Sequence, residues 1–303
     1  MSKRILVTGG CGFIGSYLVK KLVSQGNEVV VLDDLTRGNV DRLASVQKKI
    51  NWLDIDIRDE LAVRNALHDT DVVYHLAAVN GTENFYKNPD LVLDVGLRGI
   101  LSVVNGCIKN DVKELVVAST AEVYQCPNVI PTPENIELKL PDSINPRYSY
   151  GGSKIATELV AMNYGREHFE KLQIFRPHNV YGPDMGWKHV IPQFINRLIE
   201  IENSGDLDAN FYVRGKLEET RAFAYIDDVI EGIIEMQKKG KHREIYNIGN
   251  DKEISISQLV CTLMNLRNLN CNIVETEGFT GGTPRRCPDI SKIRKIGFSP
   301  KVS

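Results

Sequence analysis

A glycine-rich segment near the N-terminus, residues 9–15, constrains the fold of this chain more than any other feature. It follows an apolar run at residues 5–7 and precedes an amphipathic stretch at residues 16–23. A strand, a glycine-rich turn and a helix in this order point backbone N–H groups at a bound pyrophosphate. The glycines alone are equally consistent with an ordinary tight turn, so the interpretation depends on the residues around the next strand.

An acidic pair after the second predicted strand favours a dinucleotide-binding site over an ordinary tight turn. The apolar run at residues 28–32 ends in Asp33 and Asp34, about 20 residues beyond the glycines, where a carboxylate binds the ribose of a dinucleotide. A carboxylate at position 33 also repels a 2′-phosphate, which favours NAD over NADP. We therefore predict an NAD site that includes Gly9, Gly12, Phe13, Ile14, Gly15, Asp33 and Asp34.

Apolar runs alternate with helical periodicity through the first half of the chain. Candidate strands lie at 5–8, 29–32, 51–53, 72–75, 115–118 and 172–175, and candidate helices at 12–25, 59–67, 90–109 and 148–168. Such repeated βαβ units predict an α/β fold with a doubly wound parallel sheet of the Rossmann type. We assign 1–176, with a return segment near 227–250, to the NAD-binding domain. A smaller, mixed α/β C-terminal substrate lobe would comprise 177–226 and 251–303.

Composition and charge limit the classes of partner. The formal net charge of −2 provides no basic field for nucleic acid or for an anionic membrane surface. No apolar stretch approaches the ~18 residues that span a bilayer, and the first predicted strand begins too early for a signal peptide. The six cysteines show no C-x-x-C spacing, which predicts reduced thiols, no metal site and a cytoplasmic location.

Tyr150 and Lys154 are four residues apart, which places them on one face of a helix at the carboxyl edge of the predicted sheet. A tyrosine that acts as a base near neutrality needs its pKa lowered from about 10. A lysine ~5 Å away contributes on the order of 3 kcal/mol at an effective dielectric constant of ~20, and an oxidised nicotinamide adds positive charge. The alternative is an incidental surface pair, but the position of this pair favours proton transfer.

Seven motifs in order link the chain to a known family. It resembles the extended short-chain dehydrogenases/reductases that modify nucleotide sugars, namely epimerases, 4,6-dehydratases and UDP-glucuronate decarboxylases. The resemblance covers nearly the whole chain. The motifs are Thr8-Gly9-x-x-Gly12-x-x-Gly15, Asp56-Ile57-Arg58-Asp59, His75-Leu76-Ala77-Ala78, Ser119-Thr120-Ala121-Glu122-Val123-Tyr124, Tyr150-x-x-x-Lys154, Arg176-Pro177-His178-Asn179-Val180-Tyr181-Gly182-Pro183 and Thr220-Arg221-Ala222-Phe223.

The resemblance implies roles for individual residues. Thr120 would hydrogen-bond the hydroxyl that is oxidised, and Asn179, Arg221 and one of Arg285 and Arg286 would hold the diphosphate of the substrate. The cofactor would contact Asp56, Ile57, Leu76, Ala77, Ala78, Ser119, Tyr150, Lys154 and His178.

Some of these assignments have alternatives. His178 is a proton shuttle or a structural histidine, and the arginine pair is a substrate ligand or a solvated surface charge. The polar segment 80–84 comes after the fourth strand, so Thr82 and Glu83 are predicted to lie near the sugar.

Glu122 is the position that bears on the type of reaction. Family members whose chemistry goes beyond simple redox carry a glutamate there, although a carboxylate that caps a loop is the alternative. Ala121 replaces the aspartate that assists departure of a hydroxyl in one group of dehydratases. Gln125 replaces the usual glycine after Val123-Tyr124.

We predict an NAD-dependent enzyme that oxidises carbon 4 of a nucleotide sugar, of epimerase or dehydratase type, with tightly bound NAD. Thr120, Glu122, Tyr150 and Lys154 would be catalytic. One alternative is a net carbon-4 dehydrogenase that releases the 4-keto sugar, and another is a non-catalytic NAD-binding scaffold. The resemblance implies a homodimer through the helices at 90–109 and 148–168. The candidate contacts, which could equally face the chain's own sheet, are Leu101, Val104, Ile108, Leu159 and Ala161.

Overall fold

The computed structural model describes residues 2–187, 189–205, 209–278 and 283–302. Its strands are β1 (Arg4–Thr8), β2 (Glu28–Leu32), β3 (Ile50–Leu53), β4 (Val72–His75), β5 (Glu114–Ala118), β6 (Lys171–Pro177), β7 (Val180–Tyr181), β8 (Asn210–Arg214), β9 (Thr220–Ala222), β10 (Ala224–Tyr225), β11 (Glu244–Ile248), β12 (Glu253–Ser255), β13 (Asn272–Thr276) and β14 (Arg285–Arg286). The α-helices are α1 (Phe13–Ser24), α2 (Glu60–Ala66), α3 (Thr82–Lys87), α4 (Pro89–Lys109), α5 (Ser149–Tyr164), α6 (Val190–Ser204), α7 (Ile226–Lys239), α8 (Ile256–Leu266) and α9 (Ser291–Arg294).

Seven strands form one parallel sheet in the order β11-β6-β5-β4-β1-β2-β3. Alternate residues of each strand enter separate cores on the two faces. In β1, Ile5 and Val7 pack on the side of α1 and α7, whereas Leu6 packs on the side of α2, α4 and α5. A sheet buried on both faces explains why its strands are continuous apolar runs. This is the doubly wound Rossmann sheet that the alternating pattern predicts.

The structure extends and corrects the predicted elements. All six predicted strands are present, and residues 244–248 form β11, which pairs with β6 at the edge of the sheet. The last helix of the first half ends at Tyr164, not at residue 168, and Gly165 comes next against the ring of Phe169. The short helix α3 was not predicted, because Phe85 is its only buried residue and it has no apolar repeat.

A second group of elements has its own core. Phe194 and Leu198 of α6 pack with Phe211 of β8 and with Leu259 and Val260 of α8. Beside this core, β9 pairs antiparallel with β12 and parallel with β14. The register places Arg286 opposite Arg221, so two guanidinium groups leave neighbouring strands at the same level.

The prediction that no apolar stretch is long enough to span a bilayer is wrong for helix α4, which is long and apolar enough by length and composition alone. Half of its apolar window is buried, and it packs between α2 and α5 on the sheet, as a core helix does. Two of the expected dimer contacts, Val104 and Ala161, are buried in the core between the sheet and the helices α2, α4 and α5. Leu101 and Leu159 are exposed instead.

Candidate active site

The glycine-rich turn before α1 packs too closely on the backbone around it for side chains at two of its glycines. A Cβ on Gly9 would lie 2.8 Å from the backbone nitrogen of Ala77, and one on Gly15 would lie 2.1 Å from the carbonyl oxygen of Gly9. Helix α1 begins at Phe13 with no capping side chain and no acidic residue in its first turn. Its first N–H groups, on Phe13, Ile14 and Gly15, are therefore available to an anion, which fits the pyrophosphate of NAD.

Asp33 joins this turn to the end of β2. Its carboxylate accepts hydrogen bonds from the backbone N–H of Cys11 at 2.9 Å and from that of Leu35 at 3.0 Å. Burial raises the pKa of Asp33, although these two bonds act in the opposite direction. Asp34 is exposed and accepts a bond from Thr36. Of the pair, Asp33 is the residue built into the turn.

The other predicted cofactor residues lie on the loops after β3 and β4. The Asp56 carboxylate is hydrogen-bonded to the Arg58 guanidinium, which lowers its pKa. Ile57 is buried against Gly99 of α4. The N–H groups of Leu76 and Ala77 each donate to the Thr8 hydroxyl at 3.2 Å, and Leu76, Ala77 and Ala78 are partly exposed.

Tyr150 lies in the first turn of α5, with its phenol buried. Its side chain is hydrogen-bonded to Thr120, which comes after β5, and its ring stacks on Phe85 of α3 at 5.1 Å between centroids. Burial raises the pKa of Tyr150 to about 12, and the Glu122 carboxylate adds to this, whereas Thr120 and Arg37 act in the opposite direction. The groups of the protein alone therefore keep the phenol neutral at pH 7.

Lys154, four residues after Tyr150, is hydrogen-bonded to the backbone of β5 in this structure. Its ammonium is buried and donates to the carbonyl oxygen of Ala118 at 2.8 Å. Burial lowers the pKa of Lys154 itself to about 8. Burial thus acts on both groups, since it raises the pKa of Tyr150 and lowers that of Lys154.

A buried network holds the middle of α5 against the sheet. Ser119 donates to Glu158, and Arg176 of β6 holds Glu158 through Nε at 2.8 Å and Nη2 at 2.6 Å. Arg176 also donates to the Tyr124 hydroxyl at 2.8 Å. Ser119, predicted to contact the cofactor, is thus committed to a structural bond.

Glu122 is surrounded by arginines. Its carboxylate lies 2.8 Å from Nη1 of Arg286 and 3.9 Å from Nη2 of Arg147, and Arg221 is also close enough to interact electrostatically. Burial would raise the pKa of Glu122, but these three cations hold it below its usual value. Glu122 is therefore ionised, and the predicted alternative of a simple loop cap does not describe its contacts.

The predicted diphosphate ligands divide into two sets. Arg221 and Arg286 lie together, and the buried Nε of Arg286 has no hydrogen-bond partner among the residues that the structure describes. Asn179 lies next to β9, donating to the carbonyl oxygen of Ala222 at 3.1 Å. Arg285 instead points to solvent and pairs with Glu253. Of the two adjacent arginines, Arg286 is the one that the structure brings to the site.

Three further predicted residues are less closely tied to the site. His178 is buried, with Nε2 3.2 Å from Oδ1 of Asn247, and within the described ranges no hydrogen-bond partner is found for its Nδ1. Burial lowers its pKa to about 3, so it is neutral at pH 7. Thr82 and Glu83 are exposed at the start of α3, where Glu83 pairs with Lys87.

Sequence reasoning missed Phe85, Arg147 and Thr283 as parts of the site. Arg147 stands three residues before Tyr150, a spacing that was available as a signal. No sequence signal pointed to Thr283, because this residue reaches the site only through the folding of the second group of elements.

The fold and the site together define a dinucleotide-binding protein with a buried tyrosine and an arginine-lined acidic group beside it. The model of the NAD dependent epimerase/dehydratase family matches residues 5–249. This chain belongs to that family, among the nucleotide-sugar epimerases, dehydratases and decarboxylases of the extended short-chain dehydrogenase/reductase type. It is therefore an NAD-dependent enzyme, as the motifs predict.

Three relatives illustrate the range of the family. UDP-N-acetyl-alpha-D-glucosaminuronate decarboxylase of Bacillus cytotoxicus is 30% identical over 314 residues, covering 100% of this chain and 94% of the relative. The crystal structure of Thermotoga maritima UDP-glucose 4-epimerase with UDP-glucose has a TM-score of 0.86 at 30% identity, covering 99% of this chain and 94% of that one. A double mutant of DesIV, the dTDP-glucose 4,6-dehydratase of Streptomyces venezuelae, with NAD bound, has a TM-score of 0.88 at 28% identity, covering 99% and 92%.

Proposed function

We propose that this enzyme oxidises carbon 4 of a nucleotide sugar with Tyr150 as the base, and that the hydride returns to the same sugar. The observation that carries the proposal is the hydrogen bond between Tyr150 and Thr120 at the carboxyl edge of the sheet. The glycine-rich turn that precedes α1 lies at the same edge. Bound NAD supplies a hydride acceptor and a positive charge. Tyr150 takes the proton of the 4-hydroxyl, and Thr120 orients that hydroxyl.

The charge on the cofactor has a second role at Tyr150. Because burial raises the pKa of this phenol to about 12, the protein alone does not provide an anionic base at pH 7. A bound, oxidised nicotinamide would supply positive charge that favours the ionised form of the Tyr150 phenol. The base is therefore active only when oxidised cofactor is present, which suits a tightly bound NAD.

The second group of elements is the proposed substrate lobe, comprising residues 177–226 and 251–303. Arg221 and Arg286 project from adjacent strands, so their two guanidinium groups lie close enough together to bind one anionic group. Planar guanidinium groups suit the oxygens of a diphosphate, with Asn179 as a further donor. Arg285, held by Glu253, is left out of this assignment.

A decarboxylase is the second candidate function. Ala121 offers no acid for expelling a hydroxyl, and the arginines keep Glu122 ionised, so the turn lacks a ready proton donor for dehydration. A uronate oxidised at carbon 4 is a β-keto acid, which loses its carboxylate when the bond between carbons 5 and 6 breaks and its electron pair moves to the 4-keto oxygen. The Bacillus cytotoxicus relative is named for a reaction of this type.

Product analysis distinguishes the candidates. UDP-glucose, dTDP-glucose and UDP-glucuronic acid are incubated separately with the holoenzyme, and products are identified by mass spectrometry and NMR while NADH absorbance is followed. We expect a carbon-4 epimer or loss of carbon dioxide, with no lasting NADH, whereas loss of water would contradict the argument from Ala121 and Glu122. Lasting NADH equal to the sugar consumed would contradict hydride return and establish the net carbon-4 dehydrogenase.

We also propose that the enzyme is a cytoplasmic homodimer. Leu97 and Leu101 of α4 and Leu159 of α5 form an apolar surface with exposed fractions of 37%, 38% and 59%. Apolar side chains on two adjacent helices suit a symmetric pairing with the same helices of a second copy. Sedimentation of the wild type and of Leu101→Glu tests this, since the charge is expected to produce monomers.

A further inference from the structure

Gln125 has an unusual backbone conformation beside the active site. It ends the segment 120–125, here called the catalytic turn, which carries Thr120 and Glu122. Its backbone angles are φ 51° and ψ −116°, a region that glycine adopts readily and other residues adopt with strain. Gln125 is also buried. Strain of this kind persists only where surrounding contacts hold the residue in place.

Those contacts form a closed ring of four residues. Gln125 Nε2 donates to the carbonyl oxygen of Glu122 at 2.7 Å, and its own carbonyl oxygen accepts from the Thr283 hydroxyl at 3.1 Å. The Thr283 hydroxyl in turn accepts from Nη2 of Arg286 at 3.2 Å. Nη1 of Arg286 returns to the Glu122 carboxylate at 2.8 Å. The ring joins the catalytic turn to the substrate lobe.

The side chain of Gln125 also packs against α5, next to Tyr150. A Cβ on Gly151 would lie 2.7 Å from Nε2 of Gln125, closer than real Cβ contacts come. A Cβ on the neighbouring Gly152 would meet only Leu140, at 3.4 Å. The glutamine amide thus fills the space that the missing side chain of Gly151 leaves.

We propose that Gln125 is a positioning residue that fixes the Glu122 carboxylate relative to both Tyr150 and Arg286. It acts through its amide, which holds the backbone of Glu122, and through its carbonyl oxygen, which holds Thr283. The proposal rests on the proposed function, in which Glu122 and Arg286 face the substrate. It assigns no direct contact between Gln125 and the reacting sugar.

Gln125→Gly is the first test. Glycine relieves the strain and removes the amide, so the melting temperature of the holoenzyme is expected to stay within about 3 °C of the wild type or to rise. With whichever of UDP-glucose, dTDP-glucose and UDP-glucuronic acid reacts fastest, kcat is expected to fall about tenfold or more, because misplaced groups lose transition-state contacts. KM is expected to change less than about threefold, since Arg221 and Arg286 remain.

Gly151→Ala tests the contact with α5. In the wild type it displaces the Gln125 amide, so kcat is expected to fall about tenfold or more. In the Gln125→Gly background the same substitution is expected to lower kcat at least about threefold less, because the amide is gone and the nearest remaining atom is the Glu122 carbonyl oxygen at 3.3 Å. Gly152→Ala, with its open surroundings, is the matched control in both backgrounds.

Three results would overturn the proposal. These are an unchanged kcat in Gln125→Gly, a loss of activity matched by a fall in melting temperature of more than about 10 °C, and equal effects of Gly151→Ala in both backgrounds. The outcome is separable from that of the proposed function. If no sugar of the panel reacts, the proposed function fails, and the melting temperatures of the four combinations at positions 125 and 151 still test the contact, with additivity contradicting it.

Discussion

At the scale of single residues, two glycines show that the site depends on the absence of a side chain. Gly15 and Gly151 both stand where a Cβ would collide with another part of the site, the first with the glycine-rich turn and the second with Gln125. The sequence motif marks Gly15 as essential to cofactor binding, whereas nothing in the motif distinguishes Gly151 from Gly152.

Gly15→Ala is expected to weaken NAD binding at least about tenfold, because its Cβ would lie 2.1 Å from the carbonyl oxygen of Gly9 and must displace the turn that faces the pyrophosphate. Isothermal titration of the cofactor-stripped protein with NAD measures the change. Gly152→Ala, which meets only Leu140 at 3.4 Å, serves as the control and should bind as the wild type does. Equal affinity of all three proteins for NAD would refute the assignment of the glycine-rich turn as the pyrophosphate-binding site.

At the scale of elements, the buried pair of Glu158 and Arg176 joins α5 to β6. The exposed fractions of their side chains are 6% and 2%, so removing either partner leaves a charge without its counterpart inside the protein. This pair lies one helical turn beyond Lys154, and so it fixes the part of α5 that carries Tyr150 and Lys154 relative to the sheet.

Glu158→Leu is therefore expected to lower the free energy of unfolding by about 3–5 kcal/mol, the usual consequence of leaving a buried charge unpaired. Combined with Arg176→Met, the loss should be clearly smaller than the sum of the two single losses, because the double variant buries no unpaired charge. Urea denaturation measures all four proteins. Strict additivity would show that the pair does not act as a unit.

At the scale of the whole molecule, the sheet and the cofactor cradle follow from the sequence, and the contacts across the site do not. Continuous apolar runs, which indicate buried strands, and a glycine-rich turn are local features of the sequence. They predict the positions of β1 to β6 and of α1. The contact of Glu122 with Arg286 joins residues 164 positions apart, and it depends on how β9 and β14 align. The raised pKa of Tyr150 likewise depends on burial, which the four-residue spacing to Lys154 does not report.

Two buried histidines are expected to make the folded protein less stable at acidic pH. Burial lowers the pKa of His178 and of His75 to about 3, against about 6.5 in an unfolded chain. Between pH 7 and pH 5 the unfolded chain therefore takes up protons that the folded chain does not, and stability falls by about 2 kcal/mol for each histidine. The loss continues until the pH reaches the folded pKa.

Urea denaturation at pH 7 and pH 5 tests this in the wild type and in His178→Phe. The variant is expected to lose about 2 kcal/mol less between the two pH values, since one of the two proton uptakes is gone. The comparison uses the difference between pH values, so any change in packing at position 178 cancels. An identical loss in both proteins would mean that His178 is protonated in the folded state.

The central claim is that the Tyr150 hydroxyl is the base of an NAD-dependent oxidation, and Tyr150→Phe tests it most directly. The variant keeps the ring that stacks on Phe85 and removes only the hydroxyl. NAD content per chain and turnover of UDP-glucose, dTDP-glucose and UDP-glucuronic acid are measured side by side with the wild type. The predicted result is unchanged NAD content with turnover reduced about 100-fold or more. Turnover within about twofold of the wild type on any of these sugars would contradict the account.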